Sequence, residues 1–227
     1  SINSLQNISI ISIDNFVTQN IFGNTFIIKN SLVLKIQNML ITTRKKHINN
    51  VINSAVIEIK FVHYINIKYS IFTKVFSQVL KFEYVQQIKL NNLIFQNIYS
   101  QNYGACLIKL NKYRIKYEPK LLVKNCKFAY CSTTEGSAAI SIILSENFIS
   151  QQKYVGEKSK KSIRTIVISL KKTLFHNCRT KQEGAALFFK IRSNFNPSKA
   201  PVIFLIIDCI FTLNNALIGG CISLQYI

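Results

Sequence analysis

The chain has 227 residues, is 48% hydrophobic, and carries a formal net charge of +20 from 29 Lys+Arg against 9 Asp+Glu. That apolar content argues against disorder, and the length fits one domain or one elongated repeat array. The charge leaves two readings open: a polyanionic partner such as nucleic acid, anionic glycan or acidic lipid, or the Lys-, Asn- and Ile-rich bias of an AT-rich coding genome.

Short apolar strings alternate with Asn, Ser and Lys from Ser1 to about Thr43. Ile8, Ile10, Ile11 and Ile13 are strand-like, and Phe16 leads through Asn20 to Gly23, a degenerate copy of a cadence that recurs downstream. Phe26 to Met39 alternates around Leu32, Leu34 and Ile36, a period of two. Arg44 to His47 reads as an exposed basic turn.

The clearest strand pattern runs from Ala55 to Phe95. Ile57, Ile59 and Phe61 alternate with Glu58 and Lys60, and Leu80, Phe82 and Tyr84 alternate with Lys81 and Glu83. Such alternation buries one face and wets the other. The segments Ile65–Phe72 and Ile88–Phe95 align with a shift of 23 residues, the coil length of a β-solenoid.

Stronger copies follow. A Phe stands eight or nine residues before a Gly in Phe95–Gly104, Phe128–Gly136, Phe175–Gly184 and Phe211–Gly219-Gly220, and Ala, Ser or Cys then lead into aliphatics. The Phe-to-Phe intervals from Phe72 onward are 23, 33, 47 and 36 residues. The excess falls in polar stretches, Asn111–Lys120, Gln151–Arg164 and Ser193–Pro201, which read as loops inserted into coils. The interval of 47 also leaves room for a hidden coil.

A segment of this length cannot bury its own apolar face, but stacked coils can. The pattern therefore predicts an all-β, right-handed single-stranded parallel β-helix of about seven to nine coils with inserted polar loops. It forms a single solenoid over residues 1–227, degenerate over 1–91 and clearer over 92–227. Phe72, Phe95, Phe128, Phe175 and Phe211 should form one interior column. The glycines should mark a corner that needs positive φ or close backbone approach. Asn97, Asn177 and Asn214 suit another corner, as turn residues or as ordinary surface amides.

The six cysteines, Cys106, Cys126, Cys131, Cys178, Cys209 and Cys221, form no Cys-x-x-Cys, and with His47, His63 and His176 they show no zinc-ligand spacing. They fall at repeat positions as small packing residues. Cys131 and Cys178 share an offset three after Phe, which brings them within disulfide reach if their coils are neighbours.

The Phe-x-x-Asn element at Phe211–Asn214 and the Gly-Gly-Cys-Ile element at Gly219–Ile222 resemble the Phe-x-x-Asn and Gly-Gly-Ala-Ile repeats of polymorphic outer-membrane autotransporter passengers. More broadly, the chain is similar to pectin-lyase-like parallel β-helices. The resemblance covers residues 92–227 well and 1–91 weakly. Only the last copy keeps both Gly, and Phe128 lacks its Asn. It implies surface-exposed adhesion or scaffold proteins, and also some polysaccharide lyases and hydrolases.

The acids are too sparse to define a catalytic site. Glu135 and Glu183 each precede a corner Gly and are the catalytic candidates, read either as a carboxylate pair of the kind glycosidases use or as two solvated turn residues. His176, next to Phe175, should face outward. No nucleophile elbow, P-loop or dinucleotide fingerprint occurs. Asn7-Ile8-Ser9 is a lone glycosylation sequon of the sort an Asn-rich chain acquires by chance.

No cofactor or metal is expected, and no specific nucleic acid. The expected role is non-enzymatic, in display, adhesion or scaffolding by a surface or extracellular protein that contacts protein or glycan surfaces. The alternatives are a glycan-acting β-helix, or a basic polyanion-binding scaffold using Lys153, Lys158, Lys160, Lys161, Arg164, Lys171 and Lys172. Val202 to Leu213, the most apolar run, is broken by Asp208 and too short for a membrane span. The chain opens Ser1-Ile2-Asn3 and closes strand-like at Ile227. It therefore reads as an excised part of a longer protein, attached to a membrane through other segments and aggregation-prone on its own.

Overall fold

The computed structural model describes residues 10–14, 17–19, 26–42, 55–110, 119–145, 165–192 and 201–226. Three parallel sheets wind through them. Sheet A stacks β1 (Ile10–Asp14), β4 (Val33–Gln37), β7 (Tyr64–Lys68), β10 (Gln87–Asn91), β13 (Lys120–Lys124), β16 (Ile166–Lys171) and β20 (Val202–Ile207). Sheet B stacks β2 (Val17–Gln19), β5 (Leu40–Thr42), β8 (Ile71–Val75), β11 (Ile94–Ser100), β14 (Lys127–Thr133), β17 (Leu174–His176) and β21 (Ile210–Thr212), with the short β18 (Arg179–Thr180) also on β14. Sheet C stacks β3 (Phe26–Lys29), β6 (Ala55–Lys60), β9 (Gln78–Glu83), β12 (Cys106–Leu110), β15 (Ile140–Leu144), β19 (Leu187–Ile191) and β22 (Ile222–Tyr226).

Each strand pairs with the strand one coil on, so the chain is a right-handed parallel β-helix, and each of sheets A and C contains seven strands. The described residues contain no helix long and apolar enough to cross a membrane.

The alternating strands explain the interior. Leu34, Ile65, Ile88, Leu121 and Ile168 share one buried column of sheet A. In sheet B, Phe72, Phe95, Phe128, Phe175 and Phe211 are direct register partners. Their rings stack face to face with centroids 4.9, 4.6, 5.2 and 4.9 Å apart. Burying each such ring contributes about 1.5–3 kcal/mol, and each stacked pair adds roughly 0.5–1.5 kcal/mol. Because Phe128 pairs directly with Phe175, the 47-residue interval holds no extra coil.

The three polar insertions expected from the sequence occupy the same place in the winding order, whereas a further long connection, 43–54, falls between a sheet B strand and a sheet C strand. Residues 111–118, 146–164 and 193–200 fall between a sheet C strand and the following sheet A strand. The inserted-loop expectations fall mainly on these residues, which lie outside the described ones, as do Phe16, Gly23, the Arg44–His47 turn and the Asn7 sequon.

Corners are made by single residues in the left-handed region. From sheet A to sheet B these are Asn38, Tyr69, Asn92, Asn125, Lys172 and Asp208, with φ between 47° and 54°. The amides of the first five donate along the axis to the next coil, for example Asn92 to the Lys124 carbonyl and Asn125 to the Lys171 carbonyl, both at 3.0 Å. A second set of left-handed residues, Lys74, Asn97, Tyr130, Asn177 and Leu213, bends the chain along sheet B.

Asn214 therefore does not share the bend position of Asn97 and Asn177, because it stands one residue later and turns inward. Its Oδ1 accepts from the Cys178 amide at 2.9 Å, and its Nδ2 donates to the Phe175 carbonyl at 3.0 Å. Three apolar residues also leave their expected alternation. Phe61 (φ 56°) and Tyr84 (φ 58°) turn the chain between sheets C and A and stack on each other at 4.7 Å, and Leu32 is 54% exposed.

Gly136, Gly184, Gly219 and Gly220 have positive φ. Gly104 does not, and is required for a different reason: a Cβ there would lie 1.8 Å from the Ala138 carbonyl oxygen. On the last coil, β20 to β22 expose apolar residues, among them Ile206 (41%) and Leu224 (65%).

Candidate functional site

Glu135 and Glu183 stand on neighbouring coils. Thr133 pairs with Thr180 and Ile140 with Leu187, so Glu135 is level with Gln182, and Glu183 is one residue further along. The stagger arises because the Phe-to-Gly spacing is one residue longer in the coil of Phe175 than in that of Phe128. Both carboxylates line one open cleft of about 320 Å³, together with Tyr103, Lys181, Lys190 and Gln225.

Glu135 is exposed, and Thr133 Oγ1 donates to its backbone carbonyl at 2.9 Å. Glu183 is half-buried. It accepts from Gln225 Nε2 at 2.8 Å and from Ser223 Oγ at 3.4 Å, which fixes its side chain against the last coil. Gly136 closes the cleft floor, where a Cβ would meet the Tyr103 ring at 2.5 Å. The arrangement can hold a polar ligand between two carboxylates and two lysines.

His176 sits on the outer face of β17 as expected. Its Nδ1 is 2.9 Å from Thr212 Oγ1, and its ring packs edge-on against Tyr130. Among the described residues, no group of three or more His, Cys, Asp or Glu is placed to hold a metal.

All six cysteines are free. Cys106, Cys126, Cys131 and Cys178 are buried in the core as packing residues. Burial pushes the Cys126 thiol up to about 12 and holds Cys106 and Cys131 well above the ordinary thiol range. A thiol kept protonated is a poor nucleophile and a poor metal ligand.

Among the predicted basic residues, Lys171 and Lys172 are described. Lys171 faces outward on β16, and Lys172 holds the next corner. Lys153, Lys158, Lys160, Lys161 and Arg164 lie outside the described residues.

Two features were not read from the sequence. The first is a charge network on the outer face of sheet C. Lys81 contacts Glu58 at 2.7 Å and Glu83 at 3.4 Å, Lys60 bridges Glu58 and Glu83 at 3.0 Å each, and Lys109 reaches Glu83 at 3.0 Å. Burial raises the Glu83 pKa, but hydrogen bonds and charge from Lys109, Lys60 and Lys81 outweigh it and bring the group from 4.5 to about 2. The alternation around Glu58 and Glu83 was visible; the register that opposes Glu58 to Lys81 and Lys60 to Glu83 was not.

The second is a recess of about 320 Å³ beside the Phe61–Tyr84 stack, where His63 Nδ1 bonds Gln86 Oε1. Only the residue spacing of one coil, 23, links these two pairs in the sequence.

No family model, curated protein or solved structure matches this chain.

Proposed function

We propose that this chain is a non-enzymatic display and adhesion segment of a surface or extracellular protein, a β-solenoid that presents flat faces to protein or glycan surfaces. The reading rests on the in-register stacking of the sheets, which continues across connections of different length. Such an architecture offers broad, regular contact surfaces, and its connections can vary in length without disturbing the core. A kinship with autotransporter passengers and pectin-lyase-like β-helices belongs to the same proposal. Its support is the inward Asn214 after Phe211 and the positive-φ Gly219-Gly220 pair.

The test is incubation of the chain with polyuronic and neutral polysaccharides, followed by chromatography of the products. The display reading predicts unchanged polymer length. Chain shortening that Glu135→Gln abolishes would overturn it. That result would favour the second reading, a glycan-acting β-helix, to which the shared cleft of Glu135 and Glu183 gives its one specific support.

A further inference from the structure

Sheet B carries an apolar row on its outer face. Leu40, Ile71, Ile94, Lys127, Leu174 and Ile210 are direct register partners on successive coils. Each stands one residue before Ile41 or a Phe of the interior column, so all six point outward. Five of the six are aliphatic, and Ile71 (40%) and Ile210 (58%) are openly exposed. From Leu40 to Ile210 the row runs roughly 24 Å along the axis.

Aromatic and basic residues flank it. Tyr69 (57% exposed) holds the corner that leads into β8, and Tyr130 (44%) stands on β14 with its ring against His176 on the outer face. Lys127 lies in the row itself, and Lys172 and Arg179 lie on the coil of Leu174; all three are exposed. No strand of sheet B carries an Asp or Glu. Among the described corners between sheets A and B, Asp208 is the one acid.

Backbone, composition and charge select the partner. The inner strands of sheet B pair with the coils on both sides, so this face brings no unpaired peptide edge to an apolar phase, as the open edge of the last coil would. Tyrosines and long basic side chains bordering aliphatics match the composition that settles at a membrane–water boundary, with rings at headgroup level and charges reaching toward the headgroups. A second copy docked here would bring two basic faces together with no strand acid on either, and like charges oppose that contact. Neither cleft described above is lined by a residue of the row.

We infer that the outer face of sheet B rests on an anionic lipid bilayer, with Ile71, Ile94, Leu174 and Ile210 entering the boundary between headgroups and acyl chains and Lys127, Lys172 and Arg179 on the anionic headgroups. The solenoid axis then lies parallel to the membrane, and the charge network of sheet C faces water. This goes beyond the display reading and does not depend on it: that reading fails on shortening of a polymer, this one on vesicle contact.

The chain contains no Trp, so a single introduced Trp reports only its own surroundings. Ile94→Trp is mixed with vesicles of phosphatidylcholine, with and without phosphatidylserine, at several salt concentrations. Lys89→Trp, on the outer face of sheet A, is the control. Circular dichroism checks that each variant remains β-rich. The expected result is a blue shift of Ile94→Trp emission on phosphatidylserine vesicles and none for Lys89→Trp. Added salt should weaken the binding, and Lys127→Gln/Lys172→Gln in the Ile94→Trp background should weaken it at least about tenfold. Ile71→Thr/Leu174→Thr, which keeps residues that strands accept, should also weaken it at least about tenfold. The inference is overturned by no shift on phosphatidylserine vesicles, by equal shifts at both Trp positions, by equal binding to phosphatidylcholine alone, or by unchanged binding in either double variant. A shift of Ile94→Trp that grows with protein concentration in the absence of vesicles would overturn it in favour of a second copy. The two reporters decide the matter even where a double variant fails to fold.

Discussion

Phe128 and Phe175 are 47 residues apart in the chain, yet their rings stack with centroids 5.2 Å apart and planes within 7°. Both are fully buried, and each also stacks on a further Phe on its other side. The column is continuous, so removing a middle ring breaks two stacks. Phe128→Ala should cost about 3–5 kcal/mol, read as a lower urea midpoint, with Phe128→Leu costing less. Equal losses for the two substitutions would show that the ring stacking adds nothing beyond volume.

Gly104 and Gly220 make an informative pair. A Cβ at Gly104 meets the Ala138 carbonyl oxygen at 1.8 Å, whereas one at Gly220 meets nothing within 4 Å and carries only the strain of φ 45°. Gly104→Ala should therefore be the more destabilising by several kcal/mol, because backbone must move, while Gly220→Ala should cost on the order of 1 kcal/mol. Thermal melts of the two variants decide it. A milder effect at Gly104 would contradict the close approach of these coils.

Asn214 bonds the Phe175 carbonyl and the Cys178 amide from inside the last coil. Asn214→Leu should destabilise by about 1–3 kcal/mol, since it leaves two backbone groups without partners. Asn215→Ala serves as the neighbouring control. A neutral Asn214→Leu in denaturant titration would mean those backbone groups find other partners.

Glu83 has its folded-state pKa lowered from 4.5 to about 2, and that of Glu58 is also lowered. A lowered carboxylate pKa contributes stability that is complete above the unfolded value and disappears as pH falls through the folded one. Stability should therefore decline from about pH 4.5 toward pH 2, and Glu83→Gln should flatten this decline. Urea midpoints measured across that range check it, and an unchanged slope in Glu83→Gln would contradict the network.

The solenoid was legible because its strongest signal, the Phe-to-Gly cadence, survives insertions of different length. The Phe column, its outward neighbour His176 and the packing role of the cysteines followed from it. Corners were harder. The left-handed positions accept Asn92, Tyr69 and Lys172 alike, because the axial amide bonds hold the conformation whatever the side chain. A preference for Asn alone therefore placed Asn214 one residue wrong and missed Asn92 and Asn125. Phe61 and Tyr84 looked like core strand residues because alternation carries no mark of where a strand ends.

The faces were less legible still. Which lysine opposes which glutamate depends on coil length, and the outward row of sheet B joins residues separated by 23, 31, 33, 36 or 47 positions. The basic stretch near residue 160 was conspicuous in the sequence because its charges are contiguous. The outward aliphatics of sheet B are scattered along the chain, and only the winding gathers them.

The direct stacking of Phe128 on Phe175 carries the coil count, the register and the placement of every outward residue. Selective labelling of Phe rings and a nuclear Overhauser measurement between these two rings tests it. The account predicts a strong cross-peak, lost in Phe175→Leu. An extra coil between them would separate the rings by about two strand spacings, roughly 10 Å, and absence of the cross-peak in the folded chain would contradict the account.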